Sequence, residues 1–353
     1  MSPLTISSLV GSSGYQAISD DALKDEDNAA WVMHLDPETQ QIWTEHIYWI
    51  RLIDRLAEQD WLYFQTSNFQ VFWQEWKGLY RTGELQPGVY QDLLAGMRNR
   101  WLEDGCLPRE CPSMRAWNQY LRAIARYHND PLKIDTLEQF TRLLINLGGS
   151  FFQVFPFLPA RYRSAARYLG ALDQFYNILR DLAEDAEQGI CYLPAEILQH
   201  FGFSQSEMLN RSACDYPGYK VMMQFWLTTY LPTLRQKAEH LLLATDLPPS
   251  WRILRDWCRH RYSRIETVLQ RCSYDFTEFP AQYWAEVRRE LPVLRNWVRQ
   301  LRPDPVSQVS WYTSSPARNA YTQFSVIVGL ASRLHHNAAL SKPVLHPTSK
   351  CLI

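Results

Sequence analysis

Apolar positions along this chain recur at helical spacing almost everywhere and at strand spacing almost nowhere. Phe69, Phe72, Trp73, Trp76, Leu79 and Tyr80 form one stripe after the capping pair Ser67-Asn68. Leu93, Leu94, Met97 and Trp101 repeat the pattern and stop before Gly105. The same period predicts helices over Glu38–Leu62, Met114–Tyr127, Thr136–Phe155, Ala160–Glu187, Tyr219–Leu243, Trp251–Arg271 and Ala281–Leu301. Pro87, Pro112, Pro156, Pro194, Pro232 and Pro280 punctuate these runs. The expectation is one all-α domain of about ten helices. Met1–Glu26 is polar and acidic and reads as a flexible leader, so the helical domain falls over 27–302. Pro303–Pro316 reads as a loop, and 317–353 as a last helix near Ala317–Ala338 with a loose tail.

One helix departs from ordinary amphipathic patterning. At about 100° per residue, Gln174, Asn177, Asp181, Glu184 and Asp185 fall within an arc of roughly 100°. Phe175, Ile178, Leu179 and Leu182 fill the arc beside it. Asp181 and Asp185 stand one turn apart, where like charges repel by about 0.2–0.5 kcal/mol. No lysine occurs between Lys133 and Lys220, and Arg180 is the sole basic residue within the stripe. A solvated acidic face is one reading. Acids concentrated without counterions favour the other, a divalent cation held by oxygen ligands.

Composition narrows the field. The balance of 36 basic and 37 acidic residues leaves no electrostatic footprint for nucleic acid. Seven cysteines spread from Cys106 to Cys351 make no disulfide framework and fit a reducing cytoplasm. No run approaches the ~20 apolar residues that cross a bilayer. Val221–Leu231 and Phe324–Leu330 are the most apolar and leave room only for peripheral membrane contact. Fourteen tryptophans and nineteen tyrosines furnish a core, with some available to line an apolar tunnel.

The run from Gln174 through Asn177-Ile-Leu-Arg180-Asp181 to Glu184-Asp185 resembles the second aspartate-rich motif of the squalene/phytoene synthase family. Gly189 and Tyr192-Leu193-Pro194 continue the match, with Ile190 where the family has arginine. Arg51 and Asp54 fall on the first motif, where Arg55 replaces its second aspartate and Glu58 its third. Read from the residues alone, Arg51, Asp54, Arg55 and Glu58 also suit a surface ion-pair ladder. Leu143 to Phe152 is similar to a further family segment, keeping Gly148 and Gly149 but placing Leu143 where the family has tyrosine. Tyr262 and Tyr274-Asp275-Phe276 are similar to the last family helix, with Glu278 and Phe279 in place of arginines. Around Asn28–Trp31 the family's Ser-x-x-Phe has no counterpart. The resemblance spans residues 28–280, roughly.

The resemblance implies an isoprenoid synthase-type helical bundle with a central cavity. It implies a transferase that condenses two isoprenyl diphosphates head to head with Mg2+, or Mn2+ in its place. Asp54, Glu58, Asp181 and Asp185 would be the catalytic metal ligands. Arg51, Gln174, Asn177, Arg180 and Tyr192 would handle the diphosphate. The altered positions keep two other readings open: a cyclase or phosphohydrolase acting on one prenyl diphosphate, and a non-catalytic binding or assembly protein.

Overall fold

The computed structural model describes residues 20–62, 67–102, 105–129 and 133–301, so most of the expected leader, the 303–316 loop and the 317–353 segment lie outside the described residues. In chain order the helices are α1 (Asp20–Ala29), α2 (Pro37–Leu62), α3 (Asn68–Thr82), α4 (Gln91–Trp101) and α5 (Pro112–Asn129). They continue as α6 (Leu137–Asn146), α7 (Gly148–Val154), α8 (Arg163–Glu187), α9 (Ala195–His200) and α10 (Gln205–Leu209). The last four are α11 (Pro217–Phe225), α12 (Leu231–Leu242), α13 (Pro249–Arg271) and α14 (Phe279–Gln300). No strand occurs among the described residues. The all-α expectation holds.

Two boundaries differ from the periodicity. Asp20–Glu26, read from sequence as the end of a leader, form most of α1, with Leu23, Asp25 and Glu26 buried. Thr136–Phe155 is two helices, broken at Leu147, whose backbone leaves the helical region (φ −85°, ψ −90°). The break lets α7 cross α8 at close range. A Cβ on Gly148 would run into the carbonyl of Gly170, and one on Gly149 into that of Arg167. The single helix expected over Tyr219–Leu243 is present, as α11 running into α12 without interruption through a π turn at Trp226–Tyr230. Pro232 lacks the N–H that a regular helix would use there, and the wider turn absorbs the loss.

Helix α8 is central, packing against α6, α7, α12, α13 and α14. Ala165, Ala166, Leu169, Leu172, Phe175 and Leu179 bury its inner faces. Burying one large apolar side chain contributes about 1.5–3 kcal/mol, so α8 is firmly seated. A second core gathers α2 to α5 around Trp49, Trp76, Trp101 and Trp117. Leu147, Phe151 and Phe155 touch both cores and join them. The tryptophans therefore serve chiefly as packing: Trp31, Trp43, Trp76, Trp117, Trp226, Trp251 and Trp257 are all fully buried.

Candidate functional site

Gln174, Asn177, Asp181, Glu184 and Asp185 are all part-exposed, while Phe175, Ile178, Leu179 and Leu182 beside them are buried. The polar stripe is thus the half-open face of α8 between Gln174 and Asp185. Arg180 lies buried and grips Asp181 with two parallel bonds, Nε to Oδ1 at 2.8 Å and Nη2 to Oδ2 at 2.7 Å. Such forked pairs fix geometry as well as charge. Its third nitrogen donates to Asn28 Oδ1 at 3.2 Å, and its face lies 5.8 Å from the Trp284 ring.

The lysine missing from the local sequence arrives from α1. Lys24 Nζ stands 3.5 Å from Asp181 Oδ1 and also pairs with Glu184. Burial pushes the Asp181 carboxyl up, but the charge and bonds of Arg180, aided by Lys24, outweigh it and hold the group below the usual carboxylate range. Asp185 gains less. Its carboxyl makes no hydrogen bond or ion pair among the described residues, and burial, then the charge of Asp181, push it up to about 8 against the weaker pull of Lys24 and Arg180. One turn before Asp181, Asn177 donates to Asp173 at 3.4 Å, leaving its Oδ1 buried and unpartnered.

At the first motif, Asp54 accepts a hydrogen bond from the Tyr120 hydroxyl. Burial raises its carboxyl above the usual range, against the pull of that bond and of Arg51 and Arg55. Asp54 therefore faces inward, and an outer-surface ladder does not describe it. Arg51 places Nε 3.0 Å from Asp25 Oδ1 on α1. The side chain of Glu58 lies outside the described residues. Tyr192, in the segment after α8, packs part-buried against the main core.

Helix α1 touches both motifs, and sequence reasoning missed it. Its fully buried Asp27 takes Arg264 at 2.5 Å and the Tyr283 hydroxyl at 2.6 Å, while its carbonyl accepts from Trp257. Asn28 accepts from both Arg180 and Arg261. Arg261 also pairs with buried Asp173, which accepts the Tyr262 hydroxyl at 2.8 Å. One signal was available. Trp257, Arg261, Arg264 and Val268 share one helical face of α13, so two arginines occupy core positions. Leu143 is fully buried in the main core, Phe279 is buried and Glu278 exposed, so none of the three supplies a positive or hydroxyl group.

Toward a divalent cation, α8 offers a partial set of oxygen donors. Asn177 Oδ1 is an orphaned buried acceptor, and Asp185 is a carboxyl short of compensation. Among the described residues no three His, Cys, Asp or Glu side chains converge enough to enclose an ion. Magnesium is commonly held by one or two protein carboxylates with the remaining oxygens supplied from elsewhere, and Asp181 and Asp185 would make such a partial set.

The fold is that of the isoprenoid synthases. A crystal structure of a dehydrosqualene synthase in complex with ligand matches 74% of this chain and 90% of its own, at TM-score 0.52 and 15% identity. The squalene synthase HpnC from Alicyclobacillus acidocaldarius matches 75% of this chain and 92% of its own, at TM-score 0.55 and 15% identity. The model of the squalene/phytoene synthase family matches residues 21–282, and the chain belongs to that family. The 15-cis-phytoene synthase of Synechocystis sp. is 50% identical over 42 residues, 12% of each chain. That of Synechococcus elongatus is 39% identical over 72 residues, 20% of this chain and 23% of its own. The matched stretches thus span under a quarter of those relatives. No described helix is long and apolar enough to cross a membrane.

Proposed function

We propose that this chain is a prenyl-diphosphate-utilising transferase that joins two isoprenyl diphosphates head to head, with a divalent cation entering alongside the substrate. The observation that carries this reading is the α8 stripe, where an unpartnered Asn177 oxygen and an undercompensated Asp185 flank Asp181. Asp181 and Asp185 would hold Mg2+, or Mn2+ in its place, with Asp54 and Glu58 of the first motif as the facing ligands, and Asn177 would orient the bound diphosphate. When bound, that ion neutralises the departing diphosphate. Arg51 and Arg180 supply forked donors for diphosphate oxygens. Arg180 is set in place by Asp181, Asn28 and Trp284, so it would reach a diphosphate oxygen by exchanging one of those present partners. Gln174, one turn before Asn177 on α8, serves the bound diphosphate, and Tyr192 closes the segment beyond the helix.

A second reading has an observation of its own. Lys24 and Arg180 already compensate Asp181, and Arg55 and Leu143 remove groups from the remaining half of the site. That pattern suits a binding or assembly protein that keeps the fold.

Incubation with C15 and C20 prenyl diphosphates plus magnesium, followed by mass analysis of products, separates the readings. The transferase reading predicts a C30 or C40 hydrocarbon or its cyclopropyl diphosphate precursor, with rate dependent on two substrate molecules. Monomeric terpene or alcohol products would instead mark a single-substrate enzyme. Intact substrate with no metal-dependent binding would mark the non-catalytic one.

A further inference from the structure

Successive residues of α1 carry opposite charges to opposite motifs. Lys24 offers an ammonium to Asp181 and Glu184 of the second. Asp25 offers a carboxylate to Arg51 of the first. Farther along, Asn28 offers its carbonyl oxygen to Arg180. A cation thus meets the acids, and oxygen acceptors meet the two arginines assigned above to diphosphate. These are the charge signs that a metal–diphosphate pair would bring.

We propose that α1 is an internal occupant of this site, with Lys24 in the place of the cation and Asp25 in the place of the diphosphate, both displaced when ligand binds. The inference rests on the functional reading above. Lys24 is not required to anchor its own helix. The C-terminal half of α1 is held in the core by Asp27 with Arg264, Tyr283 and Trp257, and Glu26 pairs with Arg295. Lys24 is part-exposed and its stem swings aside by rotation about its own bonds, whereas Asp25 is buried and would give up Arg51 to the incoming anion. A site already occupied by its own chain binds ligand with an affinity reduced by the fraction of molecules that are open. The device therefore sets how much metal and diphosphate the protein needs before it engages.

The test uses the full chain with Mn2+ and inorganic diphosphate as probes, binding read from the electron paramagnetic resonance of free Mn2+. Lys24→Met keeps the apolar stem and removes the charge. We expect it to bind Mn2+ with diphosphate about tenfold more tightly than wild type, because a cation close to the site is gone. Asp181→Asn should abolish binding in either background. A second readout needs no variant. In wild type, acetylation of Lys24 relative to the exposed Lys220 should rise when Mn2+ and diphosphate are added. If Lys24→Met binds equally or more weakly, and Lys24 acetylation stays flat, while Asp181→Asn still abolishes binding, α1 is only structural and the functional reading stands. If neither wild type nor Lys24→Met binds Mn2+ with diphosphate, the functional reading falls and takes this inference with it.

Discussion

Asp185 illustrates how a residue kept for ligand can burden the empty protein. Its carboxyl is pushed up to about 8 by burial and by Asp181. Because the folded value lies above the unfolded one, the unfolded chain releases this proton first. The stability contributed is full below the unfolded carboxylate value and is lost as pH rises through about 8. Asp185→Asn should therefore raise the melting temperature of the metal-free protein near pH 8 by a few degrees, about 1–3 kcal/mol after allowance for partial exposure. The advantage should shrink toward pH 4, as thermal melts across that range would record. The same substitution should weaken Mn2+ binding in the presence of diphosphate. The arginine behind the stripe behaves differently. Arg261→Met strands Asp173 as a buried charge and removes a donor to Asn28. Breaking a buried pair from one side costs about 3–5 kcal/mol, which urea denaturation would detect as a lower midpoint. At this scale the sequence was legible where helical period sets a polar arc, from Gln174 to Asp185, which the structure keeps on one part-exposed face of α8. Lys24, Asp27 and Asn28 were not, because an acidic N-terminal run looks the same whether it is solvated or paired with distant arginines.

Elements were more legible than their joints. Helical period located α2 to α5 and α13 to within a few residues, since each buries one apolar face. It could not register the break at Leu147, which answers to the close crossing of α7 and α8 rather than to local preference. That crossing is testable. Gly170→Ala places a methyl against the Gly148 carbonyl and the Phe152 side chain, and backbone cannot yield as a side-chain tip can. Overpacking of this kind costs about 1–3 kcal/mol or more, so the variant should melt lower and lose ligand binding as α8 shifts. The α2–α4 contact carries a pH signature. His46 is buried with Nδ1 2.8 Å from the Ile42 carbonyl, and its Nε2 accepts from the Trp101 indole at 3.2 Å. That pattern requires the neutral ring with its proton on Nδ1. Burial, offset in part by the Ile42 bond, lowers it from 6.5 to about 4. Stability is then intact above pH 6.5 and falls as pH drops toward 4, by about 3 kcal/mol in all. Denaturation midpoints of wild type should decline over that window more steeply than those of His46→Gln. Equal slopes would remove His46 from the account.

As a whole molecule, the protein joins two aromatic-rich cores, with α8 running through the larger. A buried polar cluster is set within that larger core among α1, α8, α13 and α14. Arg261, Arg264 and Arg180 converge on acids and amides from α1 and α8, so much of the interior charge is satisfied within the chain itself. The family and all-α class followed from one motif and a period. The internal pairing did not, since it joins the first described helix to the last through contacts that no local pattern encodes. The claim that matters most is that α8 engages a diphosphate through Asp181 and Asp185. Release of inorganic diphosphate from a C15 or C20 prenyl diphosphate, followed with and without Mg2+ in wild type, Asp181→Asn and Asp185→Asn, tests it most directly. The account predicts Mg2+-dependent release by wild type and a loss of at least about a hundredfold in each variant, the scale set by removing one key transition-state contact. Release that is equal in all three proteins, or no release by wild type at any Mg2+ concentration, would contradict it.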